Sequence, residues 1–451
     1  MPDTTPLDLA AKTVPPAPPA SPSRTGTSLA AKAMLSLAVM TTVVAVAMAA
    51  MQQPAVITPA SAAKPAADTA ATSATTSGSV RHGVKEPKAR TPGTIRLASY
   101  NLENLFDDKD DPALAGQYDD KEMTKPLAHL EALAKAIKAI DADIIALQEI
   151  ESLQALTWFR DNHLQGLGYD FISSLDSGDH RGIECSVLSR FPLKDIKVFP
   201  DMPLGGVHPD KWGEEANREA GKPITFRRSP LQVTVVVPAE KVAALSKLND
   251  PAVQNSETKP YELTLFVVHF KSGRPGAYWR EAEATRTSIL ANAVLTEKPE
   301  ANITILGDCN AVQTDEAMQI LYRQNWMDLF ADRAAKDAAT FSHSSERTID
   351  HIIFNRNLSG ELVFDSRFIM GTPVRDKGVD WRTTAPPEGY AADHYPVVVD
   401  LYPVDMPPTE KVPQFRSPIR PAREVQYETP PTPAPPTSVP PKSDKPAKDK
   451  K

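Results

Sequence analysis

The chain has 451 residues, a formal net charge of −7 and only two cysteines. This length allows two or three average domains, but the acidic balance gives no sign of a strongly basic nucleic-acid-binding surface. Two cysteines cannot build a disulfide framework for a protein of this size. Cys185 and Cys309 lie in or beside apolar runs, so we expect two reduced, buried thiols.

The two ends of the chain differ in composition from its middle. Residues 1–93 and 406–451 are rich in Pro, Ala, Ser, Thr and Lys, a composition that favours extended, unpacked chain. The apolar run Ala33–Met51 has a length between that of a signal-peptide core and that of a membrane span. It predicts export, with the protein periplasmic, secreted or anchored to the membrane by this segment. The predicted divisions are a cytoplasmic or n-region leader (1–31), a signal-peptide core or membrane anchor (32–51), a disordered linker (52–93), one domain (94–405) and a disordered Pro/Lys-rich tail (406–451).

Helix-like and strand-like patterns interleave across residues 94–405. Helical spacing of apolar residues predicts helices over Leu127–Ile140, Leu153–Leu164, Tyr278–Leu295 and Thr314–Leu321, with a helix-prone insertion between Pro238 and Pro260. Runs rich in apolar and β-branched residues predict strands over Ile95–Ala98, Asp143–Leu147, Glu184–Leu188, Leu231–Val237, Glu262–His269, Asn302–Leu306, Ile352–Phe354 and Pro396–Val399. Many strand pairs lack an intervening helix, so we expect mixed sheets.

Six of these strands carry a polar side chain at one end. The clearest case is Gly307-Asp308-Cys309-Asn310, which follows the apolar strand Asn302–Leu306. Because the ends of strands in a rigid sheet hold side chains in fixed places, we expect the six groups to converge. The groups are Asn101 with Glu103, Gln148 with Glu149, His269, Asp308 with Asn310, Asp350, and Asp393 with His394.

These side chains suit a hard divalent cation and proton transfer. The oxygen donors predict a site for one or two Mg²⁺ or Mn²⁺ ions, with the ligands Asn101, Glu103, Glu149, Asp308, Asn310 and Asp393. The imidazoles of His269 and His394 are suited to contact a phosphoryl oxygen or to move protons, and Asp350 to orient one of them. The combination describes metal-assisted attack of water on phosphorus.

Six further residues bear on this site. Arg227, Arg228, Lys271 and Arg274 are candidate phosphate-binding cations, with solvated surface charge as the alternative interpretation. His343 and His351 are interpreted as ordinary polar or packed residues and are left out of the predicted site.

The motifs SYNLEN (99–104), LQE (147–149), HFKS (269–272), GDCN (307–310), TIDH (348–351) and ADHYPV (392–397) occur in the order typical of one family. They resemble the endonuclease/exonuclease/phosphatase superfamily of DNase I-like enzymes. The resemblance implies a four-layered α/β sandwich, with two mixed β-sheets packed face to face and helices outside. It implies that Asn101 and Glu149 are the main metal ligands and that His269 stabilises pentacovalent phosphorus.

The resemblance also implies roles for the remaining motif residues. Asp393 resembles a further metal ligand, and Glu103 stands where the family often has a carboxylate. Asp308 and Asn310 resemble the pair that orients water and binds phosphate. Asp350 and His394 resemble an Asp–His dyad, and either Asp308 or His394 is the general base.

Three functions are consistent with this sequence. The first is an exported, metal-dependent endo- or exonuclease that acts on DNA or RNA. The second is a phospholipid or inositol-phosphate phosphodiesterase or phosphatase of the same fold, although the five tryptophans appear only at scattered positions. The third is a non-catalytic envelope binding protein. The predicted partners are a nucleic acid substrate and a membrane reached through the N-terminal segment, and no obligate protein partner is evident.

Overall fold

The architecture follows from which strands pair and which faces they bury. The computed structural model describes residues 78–109, 123–248, 259–334, 336–379 and 384–422. The strands are β1 (Ile95–Leu105), β2 (Ile144–Ile150), β3 (Phe171–Ser174), β4 (Glu184–Ser189), β5 (Leu193–Lys197), β6 (Pro203–Val207), β7 (Lys211–Trp212), β8 (Glu215–Ala216), β9 (Pro223–Thr225), β10 (Leu231–Val237), β11 (Tyr261–His269), β12 (Asn302–Asp308), β13 (Met327–Asp328), β14 (Asp350–Phe354), β15 (Leu362–Ile369) and β16 (Val397–Leu401). The α-helices are α1 (Leu127–Ile140), α2 (Leu153–His163), α3 (Ala239–Ser246), α4 (Ala277–Glu297) and α5 (Glu316–Arg323).

The strands form two six-stranded mixed sheets. One sheet has the order β15-β16-β1-β2-β4-β3 and the other β13-β14-β12-β11-β10-β5. Each sheet has a parallel pair at its centre, β1 with β2 and β11 with β12, and antiparallel neighbours outside it. Two small hairpin-like pairs, β6 with β9 and β7 with β8, lie outside these sheets.

Alternation of side chains along each strand builds the layers. Leu97 of β1 and Leu265 of β11 belong to one apolar cluster, which therefore fills the space between the sheets. Their neighbours point the other way: Ala98 packs in a cluster with α1 and α2, and Phe266 packs in a cluster with α4 and α5. The order of layers is helix, sheet, sheet, helix, so the predicted four-layered α/β sandwich is confirmed.

Most of the predicted elements exist, with shifted ends. Helix α1 has the predicted limits, and α2 ends one residue before its predicted end. Helix α4 begins one residue earlier and ends two residues later than predicted, and α5 begins at Glu316 rather than Thr314. The helix-prone insertion forms α3. The prediction lacked β3, β5, β13 and the four short strands between 203 and 225, because these are short or partly exposed and carry little apolar pattern. It also lacked β15, whose apolar run is interrupted by three polar residues, 365–367.

Residues on both sides of the predicted domain pack against it. Val80 and Val84 form β-bridges with Pro373 and Met370. After residue 405, the Phe415 ring lies 4.4 Å from that of Tyr322. The domain limits at 94 and 405 stay a prediction, to which the structure adds these packed flanks.

Two further sequence predictions concern the cysteines and the membrane. Cys185 and Cys309 are both buried and free, as expected. No helix within the described ranges is long and apolar enough to span a membrane. The predicted signal or anchor segment, 32–51, lies outside those ranges.

Candidate active site

The two parallel strand pairs end at a common pocket. In register, Asn101 of β1 lies opposite Gln148 of β2, and His269 of β11 lies opposite Asp308 of β12. The carboxyl ends of these strands therefore meet, one pair from each sheet. Two contacts cross between the sheets. Asn101 Nδ2 is 3.3 Å from Asp308 Oδ2, and His269 Nε2 is 3.6 Å from Glu149 Oε1.

The backbone at these strand ends is unusually shaped. Gly307 has φ +140°, and a Cβ there would lie 2.0 Å from the Val268 carbonyl oxygen. Only glycine permits this close approach of β11 and β12. Glu103, Glu149 and Asn310 have φ of 55°, 64° and 49°, a region that residues with a side chain rarely occupy. Such strain clusters at functional sites, where the surrounding fold holds it in place.

Asp308 is the centre of the pocket. Its carboxylate accepts hydrogen bonds from the Asn310 backbone N–H at 2.8 Å and side-chain Nδ2 at 2.9 Å. His269 Nε2 lies 3.4 Å and His394 Nε2 3.8 Å from its Oδ2. Burial raises the pKa of Asp308 to about 6, against the opposing effect of His394. The Asn310 amide nitrogen also donates to the Phe270 carbonyl at 3.1 Å, so Asn310 holds Asp308 in place.

His394 and Asp350 form a buried dyad. His394 Nδ1 lies 2.9 and 3.1 Å from the two carboxylate oxygens of Asp350. The Ser342 hydroxyl accepts the backbone N–H groups of Ile349 and Asp350 and donates to Asp350 Oδ2 at 2.7 Å. Burial acts to lower the pKa of His394, but the charges of Asp350 and Asp308 have the larger, opposite effect. They raise that pKa well above its ordinary value. The Nε2 side of this ring faces the pocket as a charged donor.

His269 has the opposite electrostatic environment. Burial, reinforced by the guanidinium groups of Arg228 and Arg181, lowers the pKa of His269 well below its ordinary value. Its Nδ1 is buried and has no partner among the described residues. His269 is therefore neutral at physiological pH, and its Nε2 points at Asp308 and Glu149.

A second pair of carboxyl groups, Glu103 and Asp393, closes the other side of the pocket. Glu103 Oε2 accepts the Tyr390 hydroxyl at 2.8 Å and the Asp393 backbone N–H at 3.2 Å. Burial and the nearby Asp393 raise the pKa of Glu103 to about 7. Burial acts to raise the pKa of Asp393 too, but the hydrogen bond from His343 and the charge of His394 outweigh it and lower that pKa.

His343, which the sequence analysis left out, contacts this pair. Its Nε2 lies 3.3 Å from Asp393 Oδ2, and its ring centroid is 4.5 Å from that of His394. The Ser345 backbone N–H donates to Nδ1 at 3.0 Å, which fixes the proton on Nε2. His343 is therefore a donor that orients Asp393. The ligand atoms of His343, Asp393 and His394 also lie within 4.8 Å of one another, a spacing that a metal ion could bridge. The structure places His343, interpreted from the sequence as an ordinary polar or packed residue, against Asp393, whereas His351 is a packed histidine that pairs with Asp328 at 2.8 Å.

The donors of the pocket fit a hard divalent cation. The Asp308 carboxylate is buried and those of Glu149 and Asp393 are partly exposed, while Glu103 and Asp308 have raised pKa values. Carboxyl groups so placed favour either protons or a cation, and an oxygen-rich set of this kind is typical of Mg²⁺ or Mn²⁺ sites. Ligand atoms of Asp308, Asp350 and His394 also lie within 4.8 Å of one another.

The predicted phosphate-binding cations lie at the rim of the pocket. Glu283 of α4 accepts the backbone N–H groups of Arg227 at 2.9 Å and Lys271 at 2.6 Å, which ties their two segments together. Burial and the charges of Arg228 and Arg227 lower the pKa of Lys271 to about 8, and its Nζ lies 5.0 Å from the Trp212 ring centroid.

Another arginine, Arg181, also lies at the edge of the pocket. Its Nη2 is 4.0 Å from Glu149 Oε1. Nothing in the sequence indicated this residue, because its loop carries no motif. Two of the tryptophans interpreted as scattered, Trp212 and Trp279, are neighbours with ring centroids 6.3 Å apart.

Comparison with known proteins identifies the family of the chain. The model of the Endonuclease/Exonuclease/phosphatase family matches residues 98–366, which is more than half of the chain. No curated protein matches the sequence.

Several solved structures are similar at low identity. The catalytic domain of human nocturnin is 12% identical, covering 69% of this chain and 96% of that chain, with a TM-score of 0.41. A mannosyl-6-phosphatase of Bacteroides thetaiotaomicron is 16% identical, covering 68% and 99%, with a TM-score of 0.39. Truncated TDP2 of Caenorhabditis elegans is 12% identical, covering 68% and 97%, with a TM-score of 0.39.

Proposed function

We propose, from the premise that this chain belongs to the endonuclease/exonuclease/phosphatase family, that it is an exported, divalent-metal-dependent phosphodiesterase that hydrolyses DNA or RNA. The observation that carries the proposal is the meeting of Glu149, His269 and Asp308 at the junction of two sheets, with His394 3.8 Å from Asp308. Residues far apart in the sequence provide oxygen ligands, a base and a proton donor in one pocket.

The protonation states of His394 and Asp308 indicate which of the two is the general acid and which is the general base. His394 carries a proton at neutral pH because its pKa is raised, so it acts as the donor toward a phosphoryl or leaving oxygen. Asp308, with a pKa of about 6, is ionised at neutral pH and accepts the proton of the attacking water. The new bond joins the water oxygen to phosphorus, and the bond from phosphorus to the leaving oxygen breaks. Neutral His269 donates Nε2–H to a phosphoryl oxygen.

Asn101, Glu149 and Asp393 would hold the divalent cation, which would supply positive charge opposite the phosphoryl oxygen and the leaving oxygen. His343 keeps the Asp393 carboxylate oriented for that task through its 3.3 Å contact.

The cationic rim favours nucleic acid over a monoester substrate. Arg181, Arg227 and Lys271 extend positive charge outward from the pocket, which suits a substrate that carries phosphates beyond the one being cleaved. Export rests on the apolar segment of the sequence alone.

The test is hydrolysis by the purified full-length protein. Plasmid DNA, RNA, sphingomyelin vesicles and an inositol polyphosphate are each incubated with Mg²⁺ or Mn²⁺, and with EDTA in place of the ion. We expect cation-dependent cleavage of at least one nucleic acid, lost in Asp308→Asn. Release of phosphocholine or inorganic phosphate without nucleic acid cleavage identifies the lipid or inositol-phosphate alternative. No hydrolysis of any substrate with either ion leaves the non-catalytic binding protein.

A further inference from the structure

The loop between β3 and β4 brings a cluster of cations to the edge of the pocket. In register, Glu184 of β4 lies opposite Ile150 of β2, so the loop that precedes β4 lies beside Glu149. Asp179 and Arg181 lie in this loop. Asp179 shapes it by accepting the Arg181 backbone N–H at 2.9 Å through its own side chain.

Three arginines surround the single carboxylate of Asp179. Arg228 Nη1 lies 3.0 Å and Arg181 Nε 3.8 Å from Oδ2, and Arg227 Nη2 lies 3.2 Å from Oδ1. His180 Nε2 accepts a hydrogen bond from Arg227 at 2.8 Å, and its Nδ1 lies 3.2 Å from Asp179. Three guanidinium groups therefore share the one Asp179 carboxylate.

The three arginines are not equivalent. Arg228 is 3% exposed, and it donates to the carbonyl oxygens of His269 at 2.9 Å and Phe270 at 2.8 Å, so its donors are occupied in holding that turn. The side chains of Arg181 and Arg227 are 28% and 21% exposed. Among the described residues, the Arg181 guanidinium has no hydrogen-bond partner, and the carboxylate oxygens nearest to it are 3.8 and 4.0 Å away. Its planar fork is available for an anion.

We infer that Arg181 and Arg227 form a second phosphate-binding subsite, which binds the phosphate next to the scissile one in a nucleic acid strand. The inference rests on the proposed nuclease function and names its preferred substrate, a strand with at least two neighbouring phosphates. Guanidinium groups bind phosphate through paired hydrogen bonds. Arg181 stands between Asp179 and the pocket residue Glu149, so a phosphate held there is adjacent to the one at Asp308.

Dinucleotides test the subsite directly. The substrates are a thymidine dinucleotide with one internal phosphodiester, and the same dinucleotide with one added phosphate at the 5′ or the 3′ end. We expect the wild-type kcat/KM to be about 10- to 100-fold higher for one of the phosphorylated forms, the usual effect of a charge-assisted contact. The gain should come mainly through a lower KM.

Substitutions show which arginines cause the preference for the phosphorylated dinucleotide. Arg181→Gln and Arg227→Gln should each reduce the ratio of the two kcat/KM values to within about threefold of one, and Arg181→Lys, which keeps the charge, should retain part of the ratio. Arg160→Gln is the matched control, since the Arg160 side chain is 25% exposed and pairs with its neighbour Asp161. This variant should keep the full preference. The ratio is insensitive to a change that lowers turnover on both substrates equally.

The outcomes separate the two proposals. Equal cleavage of the plain and phosphorylated dinucleotides by the wild type overturns the subsite and leaves the nuclease function standing. A preference that persists in both glutamine variants also overturns it, because the extra phosphate then binds elsewhere. If the wild type cleaves no dinucleotide, plasmid or RNA with Mg²⁺ or Mn²⁺, the nuclease function fails and the subsite with it.

Discussion

Replacing Asp350 by asparagine should shift the pH profile of catalysis as well as lower its rate. The substitution removes the charge that faces His394 Nδ1 at 2.9 Å but leaves a side chain of nearly equal size. Asp350 raises the pKa of His394 against the effect of burial, so the variant should have a lower His394 pKa. The limb of the pH profile that reports His394 therefore moves to lower pH.

The contact distance sets the size of the effect. Two unit charges about 3 Å apart attract by roughly 5 kcal/mol at an effective dielectric constant of about 20. The variant no longer buries a carboxylate, which offsets part of this loss, so about 3 kcal/mol remains. The His394 pKa should therefore be lower in the variant and, if the same charge stabilises the transition state, kcat should be about a hundredfold lower.

The His351–Asp328 pair provides a matched control. Asp328 Oδ2 lies 2.8 Å from His351 Nδ1, both side chains are 1% exposed, and His351 is the next residue after Asp350. Asp328→Asn should lower the free energy of unfolding by about 3–5 kcal/mol, as breaking a buried pair does. It should leave the pH limbs of kcat unchanged.

The assay is kcat against pH on a small phosphodiester for the wild type and both variants, with folding checked by circular dichroism. A moving alkaline limb identifies His394 as the acid, and a moving acidic limb identifies it as the base. The reasoning is refuted if Asp350→Asn keeps kcat within about threefold and moves neither limb.

Three further outcomes are expected. His343→Ala should weaken Mn²⁺ binding about 10- to 100-fold, measured by calorimetry, and His343→Gln, which keeps a donor toward Asp393, should weaken it less; equal binding by all three proteins contradicts the orienting role. Burial raises the pKa of Glu361 to about 8, so the folded state binds this proton more tightly than the unfolded state does. As the pH rises from about 4.5 to 8, the free energy of unfolding should therefore fall by at most about 5 kcal/mol. Denaturant midpoints at pH 5 and 8.5 should differ less in Glu361→Gln, and an unchanged difference contradicts this. EDTA should abolish hydrolysis reversibly. After EDTA is removed, activity should return when Mg²⁺ or Mn²⁺ is added and not in buffer without a divalent cation.

The sequence alone determined the buried strands and the polar residues at their ends. Continuous apolar runs, such as the one that contains Leu97 and Ala98, indicate a strand covered on both faces, and a polar residue directly after such a strand lies at its end. The approximate position of Asp308 and His269 follows from local pattern, since both are set by the few residues before them. The motif order then indicated the family.

Only the tertiary structure decided the partners of those residues. His343 reaches Asp393, 50 positions further on, because their two segments pair as an isolated bridge that no local pattern predicts. By sequence, Arg228 was as good a candidate for phosphate binding as Arg227, but in the structure its guanidinium donates to backbone carbonyls. The guanidinium that faces the pocket without a hydrogen bond among the described residues is that of Arg181. Local patterns report the preferences of neighbours along the chain, whereas a hydrogen bond between distant segments depends on the relative placement of whole strands and loops, which packing alone fixes.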